Sequence, residues 1–528
     1  MSLLDELRDL LSPDPEGIVP VPILVKGEMR RPPSLSLGTL QDAARDAPAG
    51  PGGDRRFRCA GAQVLQLAPK QDSGPFLLLP DFDPRDLLEE DAGALSRGLY
   101  ALPFREVMAY VGALREVLRS AAEAARRATA FTQATSAQHG GEIRLLFEIL
   151  PELFDPEALA EAVDRELGDG DASGRQYLDG WVAVTAPGTR GVTARQADAL
   201  LGAPPSPPPP LRVRAVPTRQ LHVTAGNSPL LPLLSLLRAF ATKGAAVVKS
   251  PAASTAPAAL LALAMRAVDA AHPITRHTSL VYWPGGDRRF EDVLFAPGAF
   301  DRLVVWGSPE TVRSVTARAP FIKTILLNPR YGLSFIGREP VSDAFAAAAS
   351  RAAVDTLIAD QKACTSSLVH FVEGTEDDAL RYCRALQEAL ALWDRAFPRT
   401  LPERMVGLLR RLRRQELARA VWFENGPRGA PSSAVVLSPL PFDLSLHPLS
   451  RFVVVRRVDD LRDALPALHS GVSALGVYPE ERRRDLLDEI AGRGVDKVFP
   501  LGEGERAYAG MPHDGMRIAS ELVRWCSG

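Results

Sequence analysis

The spacing of apolar residues changes character along the chain. Between Phe104 and Phe131 apolar side chains recur at helical spacing without an internal proline, which predicts one long helix. Shorter helices are predicted at Ile143–Leu150 and Pro156–Glu166, and a strand at Ile18–Lys26. After the proline-rich stretch 203–210, short apolar runs alternate with amphipathic ones. Because polyproline is stiff and extended, this stretch predicts a boundary near residue 210.

The middle of the chain alternates predicted strands with predicted helices. Apolar strands separated by helices favour a parallel sheet covered on both faces, an architecture that often binds nucleotides. The strands are predicted at Gln220–Thr224, Ala245–Lys249, Thr278–Trp283, Arg302–Trp306 and Thr324–Leu327, and the helices at Pro229–Ala241, Thr255–Ala271, Arg288–Phe295 and Pro309–Ala317.

The last third predicts a second α/β unit. An alanine-rich helix, Val341–Ala359, precedes Cys364, and a strand, Leu368–Val372, follows it. We therefore expect three parts: an N-terminal region at 1–210, a first α/β domain at 211–336 and a second α/β domain at 337–528. Further strands are predicted at Ala434–Leu437, Phe452–Arg456, Ala474–Val477 and Val495–Phe499.

Composition narrows the class of protein by exclusion. A hydrophobic content of 46% and a charged content of 24% are typical of soluble globular proteins. The formal charge of −2 gives no electrostatic reason to expect nucleic acid or an anionic membrane as partner. The chain starts without a basic signal-peptide region, and apolar runs such as Ala256–Met265 are too short to span a bilayer. Four scattered cysteines indicate a reducing compartment, so we expect a cytoplasmic protein.

Polar residues follow three predicted strands of the middle domain. Asn227 follows the first, Lys249 and Ser250 end the second, and Gly307-Ser308 follows the strand that ends at Trp306. In open α/β sheets, ligands bind at the carboxyl ends of the strands, where helix N-termini attract phosphate. The chain contains no P-loop and no G-x-G-x-x-G after a strand, and its eight histidines form no metal-binding motif. A metal site is therefore not expected.

Cys364 is the candidate nucleophile. It lies in Asp-Gln-Lys-Ala-Cys-Thr-Ser-Ser-Leu, between a predicted helix and a predicted strand, where a thiol can face a substrate. The alternative is an inert buried thiol, since free cysteines are among the most buried residues. Lys362 could lower the pKa of the thiol or remain solvated. Cys383 and Cys526 lie in helical runs and are expected to pack in the core.

The order of these motifs resembles that of the aldehyde dehydrogenase superfamily. More narrowly, the chain from 210 to 528 is similar to the LuxC-type acyl-CoA reductases, the family that supplies the fatty aldehyde of bacterial bioluminescence. The resemblance implies a Rossmann-like cofactor domain and an α/β catalytic domain with an added N-terminal region. The similar segments are Gly226-Asn227-x-Pro229, Tyr282-Trp283-Pro284-Gly285-Gly286-Asp287, Gln361-x-x-Cys364-x-Ser366 and His513-Asp514-Gly515 with Arg524-Trp525.

The resemblance implies roles for individual residues. Cys364 would take up the acyl group from a fatty acyl-CoA or an acyl-carrying protein, and the Asn227 amide and the Cys364 N–H would bind the oxyanion. NADPH is the implied cofactor, with NADH left open, and an acyl-transferring partner subunit or a homo-oligomer is also left open. The implied cofactor residues are Lys249 and Ser250 at the adenosine ribose or its 2′-phosphate, and Gly307 and Ser308 at the pyrophosphate.

Two departures and two alternatives bear on this hypothesis. Aldehyde-oxidising relatives carry a glutamate in Leu-Glu-Leu-Gly-Gly, whereas Ile325–Gly332 has no carboxylate, which favours reduction over hydrolysis. Ser367 stands where the reductases often have proline. The alternatives are a cysteine acyltransferase or thioesterase without a dinucleotide, and a non-catalytic subunit of an acyl-processing complex. His513 could donate a proton to the forming hemithioacetal or stabilise its turn by pairing with Asp514.

Overall fold

A computed structural model describes residues 17–48, 55–66, 76–89, 95–135, 139–184, 192–202, 211–226, 228–338, 344–399, 401, 403–427 and 429–528. The proline-rich stretch 203–210 and Asn227 lie outside these residues. Among the described helices, none combines the length and the apolar composition needed to cross a bilayer.

The strands of the described chain are numbered from β1 in chain order: Ile18–Pro20, Ile23–Val25, Glu28–Arg30, Arg55–Cys59, Ala62–Gln66, Phe76–Pro80, Val182–Ala183, Arg212–Val216, Arg219–Val223, Ala245–Lys249, Thr278–Val281, Arg302–Trp306, Lys323–Leu327, Tyr331–Ile336, Ser367–Glu373, Val421–Asn425, Ser433–Leu437, Phe452–Val458, Val472–Tyr478, Lys497–Pro500 and Arg524–Ser527 (β21).

The α-helices are numbered from α1 in the same way: Leu37–Arg45, Phe104–Ser120, Ala122–Thr135, Gly140–Ile149, Pro156–Leu167, Gly174–Asp179, Val192–Leu201, Leu231–Ala241, Thr255–Asp269, Pro273–Arg276, Arg288–Leu294, Pro309–Arg318, Ala344–Leu357, Glu376–Ala396, Glu403–Arg414, Glu480–Ala491 and Ile518–Leu522 (α17).

The first large sheet has the strand order β13-β12-β9-β10-β11-β2-β3. Its five strands from the middle of the chain are parallel, whereas β2 and β3 are added antiparallel at one edge. Strands β10, β11 and β12 are buried along nearly their whole length because helices cover both faces, as their continuous apolar runs predicted. The carboxyl ends of β9, β10 and β12 therefore lie side by side at one edge.

The second large sheet has the order β16-β17-β18-β15-β14-β19-β20 and is parallel except for β16. It includes β14, which lies before the predicted boundary at 336, so the change of sheet comes earlier in the chain than the predicted domain boundary. The carboxyl-terminal strand β21 returns to pair with β8, which also pairs with β7. A four-stranded sheet of β1, β6, β5 and β4 lies in the N-terminal region.

Two predictions in the N-terminal region are wrong in detail. The predicted single helix from Phe104 to Phe131 is divided into α2 and α3 at Ala121, whose ψ of 37° is not helical. Ala121 is buried, and the turn there lets both helices pack on α9, a tertiary contact that local spacing does not encode. The predicted strand Ile18–Lys26 is also two strands, β1 and β2, which belong to different sheets.

The N-terminal region contributes α5 to the interior of the protein. This helix starts at Pro156 with Asp155 as its N-cap, and the Asp155 carboxylate accepts hydrogen bonds from the Glu157 and Ala158 N–H groups. Its buried face contacts α8 and α17. Helix α8 is apolar almost all round, as expected for a helix enclosed on several sides, and carries one charged residue, Arg238.

Candidate active site

Cys364 lies in a short connection between a 3₁₀ turn, Ile358–Gln361, and strand β15. The chain turns sharply before the cysteine because three successive residues, Ala359, Asp360 and Gln361, have φ values of 47°, 52° and 64°. Non-glycine residues in this left-handed region are strained and persist where their surroundings hold them. The position of the thiol therefore depends on the side chains that secure this turn.

Two side chains of the turn are anchored to neighbouring elements. Asp360 accepts hydrogen bonds from Arg399 Nη1, at 3.1 Å, and from Arg451 Nε, at 3.2 Å. The Gln361 amide accepts from the Phe452 N–H at 2.9 Å and donates to the Phe452 carbonyl oxygen at 2.8 Å. These contacts attach the cysteine-bearing turn to β18, a strand near the centre of the second sheet.

Cys364 lines a cavity of about 820 Å³ between the two large sheets and the N-terminal region. Gly307 and Ser308, predicted to face the cofactor, line the same cavity, and so do Gly226 and Ser228 on either side of Asn227. Apolar side chains of α5 and α8 form much of the remaining wall, among them Leu159, Ala162, Val163, Leu231, Leu234 and Leu237. One space thus combines a thiol, part of the predicted cofactor edge and an apolar wall.

The surroundings of Cys364 keep it protonated at neutral pH. Burial raises the pKa of the thiol, and the nearby Asp514 carboxylate raises it further. Two groups oppose this increase and lower the pKa: the Lys497 ammonium and the Ser473 hydroxyl. The Ser473 hydroxyl also donates a hydrogen bond to the Cys364 carbonyl oxygen. The thiol therefore needs a proton acceptor when it attacks.

His513 and Asp514 come from the C-terminal part of the chain. His513 and Met516 pair through both backbone groups, and Asp514 and Gly515 between them have φ values of 48° and 74°. This is the geometry that a two-residue Asp-Gly turn favours. The turn is therefore closed by backbone hydrogen bonds. The His513 ring is hydrogen-bonded to Arg238 of α8, with 2.9 Å between Arg238 Nη2 and His513 Nδ1.

Cys364, His513 and Asp514 form a compact cluster. Sγ, a ring nitrogen and a carboxylate oxygen all lie within 4.8 Å of one another. Such a set could ligate a metal ion, and the spacing of the histidines in the sequence gave no sign of it. However, the charges of Arg238 and Lys497 act on His513 and Cys364, and nearby cations weaken the binding of a divalent metal. The cluster suits acid–base and acyl chemistry better.

The other predicted cofactor residues lie on the same sheet edge but outside this cavity. Lys249 ends β10 and Ser250 follows it. Strand β9 separates β10 from β12, so the ends of these two strands are about 10 Å apart. Ser250 Oγ is buried and has no hydrogen-bond partner among the described residues. Burial, and repulsion from Arg56, lower the pKa of Lys249 to about 8.

Several residues of this site carry no recognisable motif in the sequence. Arg238, Lys497 and Ser473 reach the cluster from distant elements, and α5 comes from a region to which no function was assigned. One signal was present: Arg238 is the single charge in Leu-Pro-Leu-Leu-Ser-Leu-Leu-Arg-Ala-Phe-Ala, an otherwise apolar helix. A charge buried in such a helix destabilises the fold unless a polar group pairs with it, so it indicates a polar partner nearby.

In its fold the chain is similar to the aldehyde dehydrogenases. An NADP-dependent glyceraldehyde-3-phosphate dehydrogenase from Bacillus halodurans, complexed with NADP, superposes with a TM-score of 0.65 at 14% identity, over 96% of this chain and 98% of that one. A mutant of aldehyde dehydrogenase C from Pseudomonas syringae, complexed with NAD+ and octanal, gives a TM-score of 0.62 at 12% identity, over 98% of both chains. The predicted aldehyde-dehydrogenase-like α/β fold is confirmed.

Within this fold, the sequence model of the family "Acyl-CoA reductase (LuxC)" matches residues 214–525, and the chain belongs to that family. Long-chain acyl-protein thioester reductases are similar to it: that of Aliivibrio fischeri is 28% identical over 321 residues, and that of Vibrio harveyi 28% identical over 322. These alignments cover 58% and 60% of this chain. They cover 63% and 65% of the relatives, so the chain spans less than two thirds of their length.

Proposed function

We propose that this protein reduces a fatty acyl thioester, carried by coenzyme A or by a protein, to the aldehyde, with NADPH as reductant and Cys364 as the acylated nucleophile. One observation carries the proposal: Cys364, the Gly307–Ser308 edge and a long apolar wall surround one cavity. A thioester reductase needs these three features together, since the acyl carbon must meet both thiol and hydride while its chain is held away from water.

The residues at the strand ends fit a dinucleotide. The N-terminus of α12 follows Gly307, and a pyrophosphate is stabilised by the N–H groups and the dipole of such a helix end. A Cβ atom on Gly307 would lie 2.8 Å from Cβ of Thr311, so glycine is required for this tight strand-to-helix turn. The unpartnered Ser250 Oγ and the desolvated Lys249 suit the ribose and a 2′-phosphate. When bound, NADPH would supply the hydride that reduces the acyl carbon.

The apolar wall suits an aliphatic chain. Leu159 and Val163 of α5 face the cavity together with Leu231 and Leu234 of α8. Burying methylene groups against such side chains stabilises a bound chain by about 0.8 kcal/mol for each group. The aldehyde dehydrogenase C of Pseudomonas syringae, which has the same fold, is complexed with octanal, an aliphatic aldehyde. The N-terminal region, through α5, would then form part of the substrate site.

The chemistry would proceed through the thiol of Cys364. Its sulfur attacks the thioester carbonyl carbon, the bond from that carbon to the carrier sulfur breaks, and the carrier leaves as a thiol with the proton that Cys364 gave up. After reduction at the acyl carbon, the bond between this carbon and Cys364 Sγ breaks. The aldehyde departs, and the Cys364 thiolate takes up a proton from solvent, which regenerates the thiol. The Cys364 N–H and the Asn227 amide are the proposed oxyanion donors.

A thioesterase remains the second candidate because of Asp514. The segment Asn328-Pro329-Arg330 lines the cavity without a carboxylate, as the sequence predicted, but the Asp514 carboxylate approaches the cluster from another element. If Asp514 activated water, the acyl-enzyme would be hydrolysed to a free acid. Product analysis separates the two functions.

The test is to incubate the protein with NADPH and with short-, medium- and long-chain acyl-CoAs or acyl-carrier proteins, and to identify the product by mass spectrometry. We expect an aldehyde, and we expect Cys364→Ala to abolish both acylation and thioester-dependent NADPH oxidation. Cys526→Ala, at a half-buried cysteine outside the cavity, is the matched control. Retained turnover in the Cys364 variant would refute the proposal, and a free acid formed without NADPH oxidation would establish the thioesterase.

A further inference from the structure

Arg238 has no role in the proposed acyl transfer, yet it is enclosed in the wall of the same cavity. Its guanidinium lies over the Trp306 ring, 4.9 Å from the centroid, and Nη2 contacts His513. Nη1 is buried without a hydrogen-bond partner among the described residues, and none of them forms an ion pair with this arginine. Burial lowers the pKa of Arg238 to about 10, so it stays charged at neutral pH. Burying a charge destabilises the folded protein unless the charge interacts favourably with another group.

The contact with Arg238 determines which nitrogen of His513 carries the proton. A guanidinium has only donors, so Nδ1 must be the acceptor of the 2.9 Å hydrogen bond. In a neutral imidazole the proton then lies on Nε2. A proton on both nitrogens would set an imidazolium against the guanidinium. Burial and repulsion from Arg238, Lys497 and Arg330 oppose this charge and lower the pKa of His513 to about 3.

We propose that Arg238 fixes His513 as the neutral Nε2–H tautomer, and that His513 donates a hydrogen bond to the oxygen that becomes negative when Cys364 attacks a thioester. His513 would be a catalytic residue in contact with the reacting oxygen, and Arg238 a positioning residue. This inference rests on the proposed function and adds a third oxyanion donor to the two proposed above. It also excludes His513 as the base that deprotonates the thiol.

The dimensions of the cluster agree with this role. A ring nitrogen of His513 and Sγ of Cys364 lie within 4.8 Å of one another, so one substrate group can contact both. Oxyanion donors work at about 2.7–3.1 Å, a distance that an oxygen on a carbon bonded to Sγ can reach from this ring. Three cations act on the His513 ring: Arg238 of α8, Lys497 of β20 and Arg330 after β13. The neighbouring Asp514 carboxylate belongs to the same cluster. Trp306 of β12 packs edge to face with the ring at a centroid distance of 5.3 Å.

The first test does not depend on any substrate. The ¹⁵N resonances of histidine in the whole protein, assigned by comparison with His513→Gln, report which ring nitrogen is protonated. We expect an unprotonated Nδ1 and a protonated Nε2 from mildly acidic to mildly alkaline pH. In Arg238→Met we expect a tautomer mixture that titrates closer to the ordinary pKa of histidine. A proton on Nδ1, or an imidazolium at neutral pH in the unsubstituted protein, would overturn the inference.

The second test separates oxyanion stabilisation from base catalysis. We measure the rate at which Cys364 is acylated by an acyl-CoA and the rate at which it is alkylated by iodoacetamide, which forms no oxyanion. We expect His513→Ala to slow acylation by about 10²–10³-fold and to leave alkylation nearly unchanged. His513→Gln keeps an amide donor and should recover part of the loss. An equal loss in both reactions would show that His513 acts on the thiol and would refute the inference.

The same experiment distinguishes failure of the inference from failure of the proposed function. If the unsubstituted protein is not acylated by any thioester, the proposed function is wrong. If it is acylated and both His513 variants are acylated at the same rate, only the inference is wrong. Arg238→Met combined with His513→Ala should slow acylation no further than His513→Ala alone, because the arginine acts through the histidine.

Discussion

The Gln361 side chain is hydrogen-bonded to both backbone groups of Phe452, accepting from its N–H at 2.9 Å and donating to its carbonyl oxygen at 2.8 Å. The same amide nitrogen also lies 3.2 Å from the Ser367 carbonyl oxygen. One buried amide thus binds three backbone groups, two at the start of β18 and one at the start of β15, without contacting the thiol.

Gln361→Glu should destabilise the protein. A carboxylate keeps the contact with the Phe452 N–H but faces the carbonyl oxygens of Phe452 and Ser367 without a donor, which costs about 1–3 kcal/mol for each group left unpaired. Burial raises the pKa of the new glutamate above its value in the unfolded chain. The loss of unfolding free energy is therefore small at low pH, where the carboxyl is protonated in both states, and it grows as pH rises from the unfolded pKa towards the folded one. Denaturant unfolding at pH 5 and pH 8 measures this difference.

The matched control is Gln415→Glu, at an exposed glutamine after α15, which should change the unfolding free energy by less than about 0.5 kcal/mol. Equal stability losses for the two variants, or a loss at position 361 that does not depend on pH, would contradict the role assigned to the Gln361 amide.

Asp514 and Lys497 act in opposite directions on the pKa of Cys364. Asp514→Asn should therefore lower this pKa and shift the alkylation of Cys364 to lower pH. Lys497→Met should raise the pKa and shift alkylation to higher pH. Asparagine suits the left-handed backbone at position 514, where φ is 48°, so the variant should fold normally. Peptide mass spectrometry follows alkylation at Cys364 across a pH series.

Asp485→Asn, at an exposed position of α16, is the control for this pair and should leave the alkylation profile unchanged. Shifts of both active-site variants in the same direction would mean that structural disturbance, and not charge, determines the reactivity of the thiol.

The parallel core of the fold could be predicted from the sequence. Strands such as β10 and β12 are enclosed on both faces, so their apolar runs are continuous, and their bounds agree with the predicted ones. The break at Ala121 could not be predicted, because alanine is a good helix former and the turn depends on packing against α9. The joining of β2 and β3 to the first sheet likewise depends on pairing across more than two hundred residues.

The candidate site was predicted where it rests on local motifs. The order of motifs along the chain led to Cys364, Gly307 and Ser308, which the structure brings to one cavity. The contact between Arg238 and His513 joins residues 275 positions apart, and no local pattern encodes it. The place of α5 in the cavity wall also arises from tertiary packing. The roles of all six predicted site residues stay predictions: Cys364, Asn227, Lys249, Ser250, Gly307 and Ser308.

Lys249 should determine the preference for NADPH. A charge-assisted contact with a 2′-phosphate contributes about 1.5–3 kcal/mol, so Lys249→Met should weaken NADPH binding by roughly 10–100-fold and NADH binding far less. Because the pKa of Lys249 is lowered to about 8, its ammonium is present below this pH and is lost above it. NADPH binding should therefore weaken as pH rises through about 8, and the variant should lack this dependence. Fluorescence titration measures both affinities.

Lys323→Met is the control, since Lys323 is exposed at the opposite, amino end of β13 and should not affect either affinity. A Lys249 variant that loses NADH and NADPH binding equally would place this lysine elsewhere than at a 2′-phosphate.

Ala162 of α5 should set the length of acyl chain that the cavity accepts. Its side chain lines the cavity between the apolar faces of α5 and α8, and the adjacent Val163 is fully buried. Ala162→Phe would fill part of the cavity without altering Cys364. The kcat/KM for long acyl chains should fall about tenfold or more, which corresponds to a loss of about 1.4 kcal/mol or more of transition-state stabilisation. The kcat/KM for short chains should be nearly unaffected. Ala267→Phe, at an exposed position of α9, introduces the same side chain away from the cavity and should leave the chain-length profile unchanged. The profile is measured with a series of acyl-CoAs, and thermal unfolding of each variant shows whether the fold is kept. A uniform loss across all chain lengths in a folded Ala162 variant would place the acyl chain elsewhere, and the N-terminal region would then have no part in substrate selection.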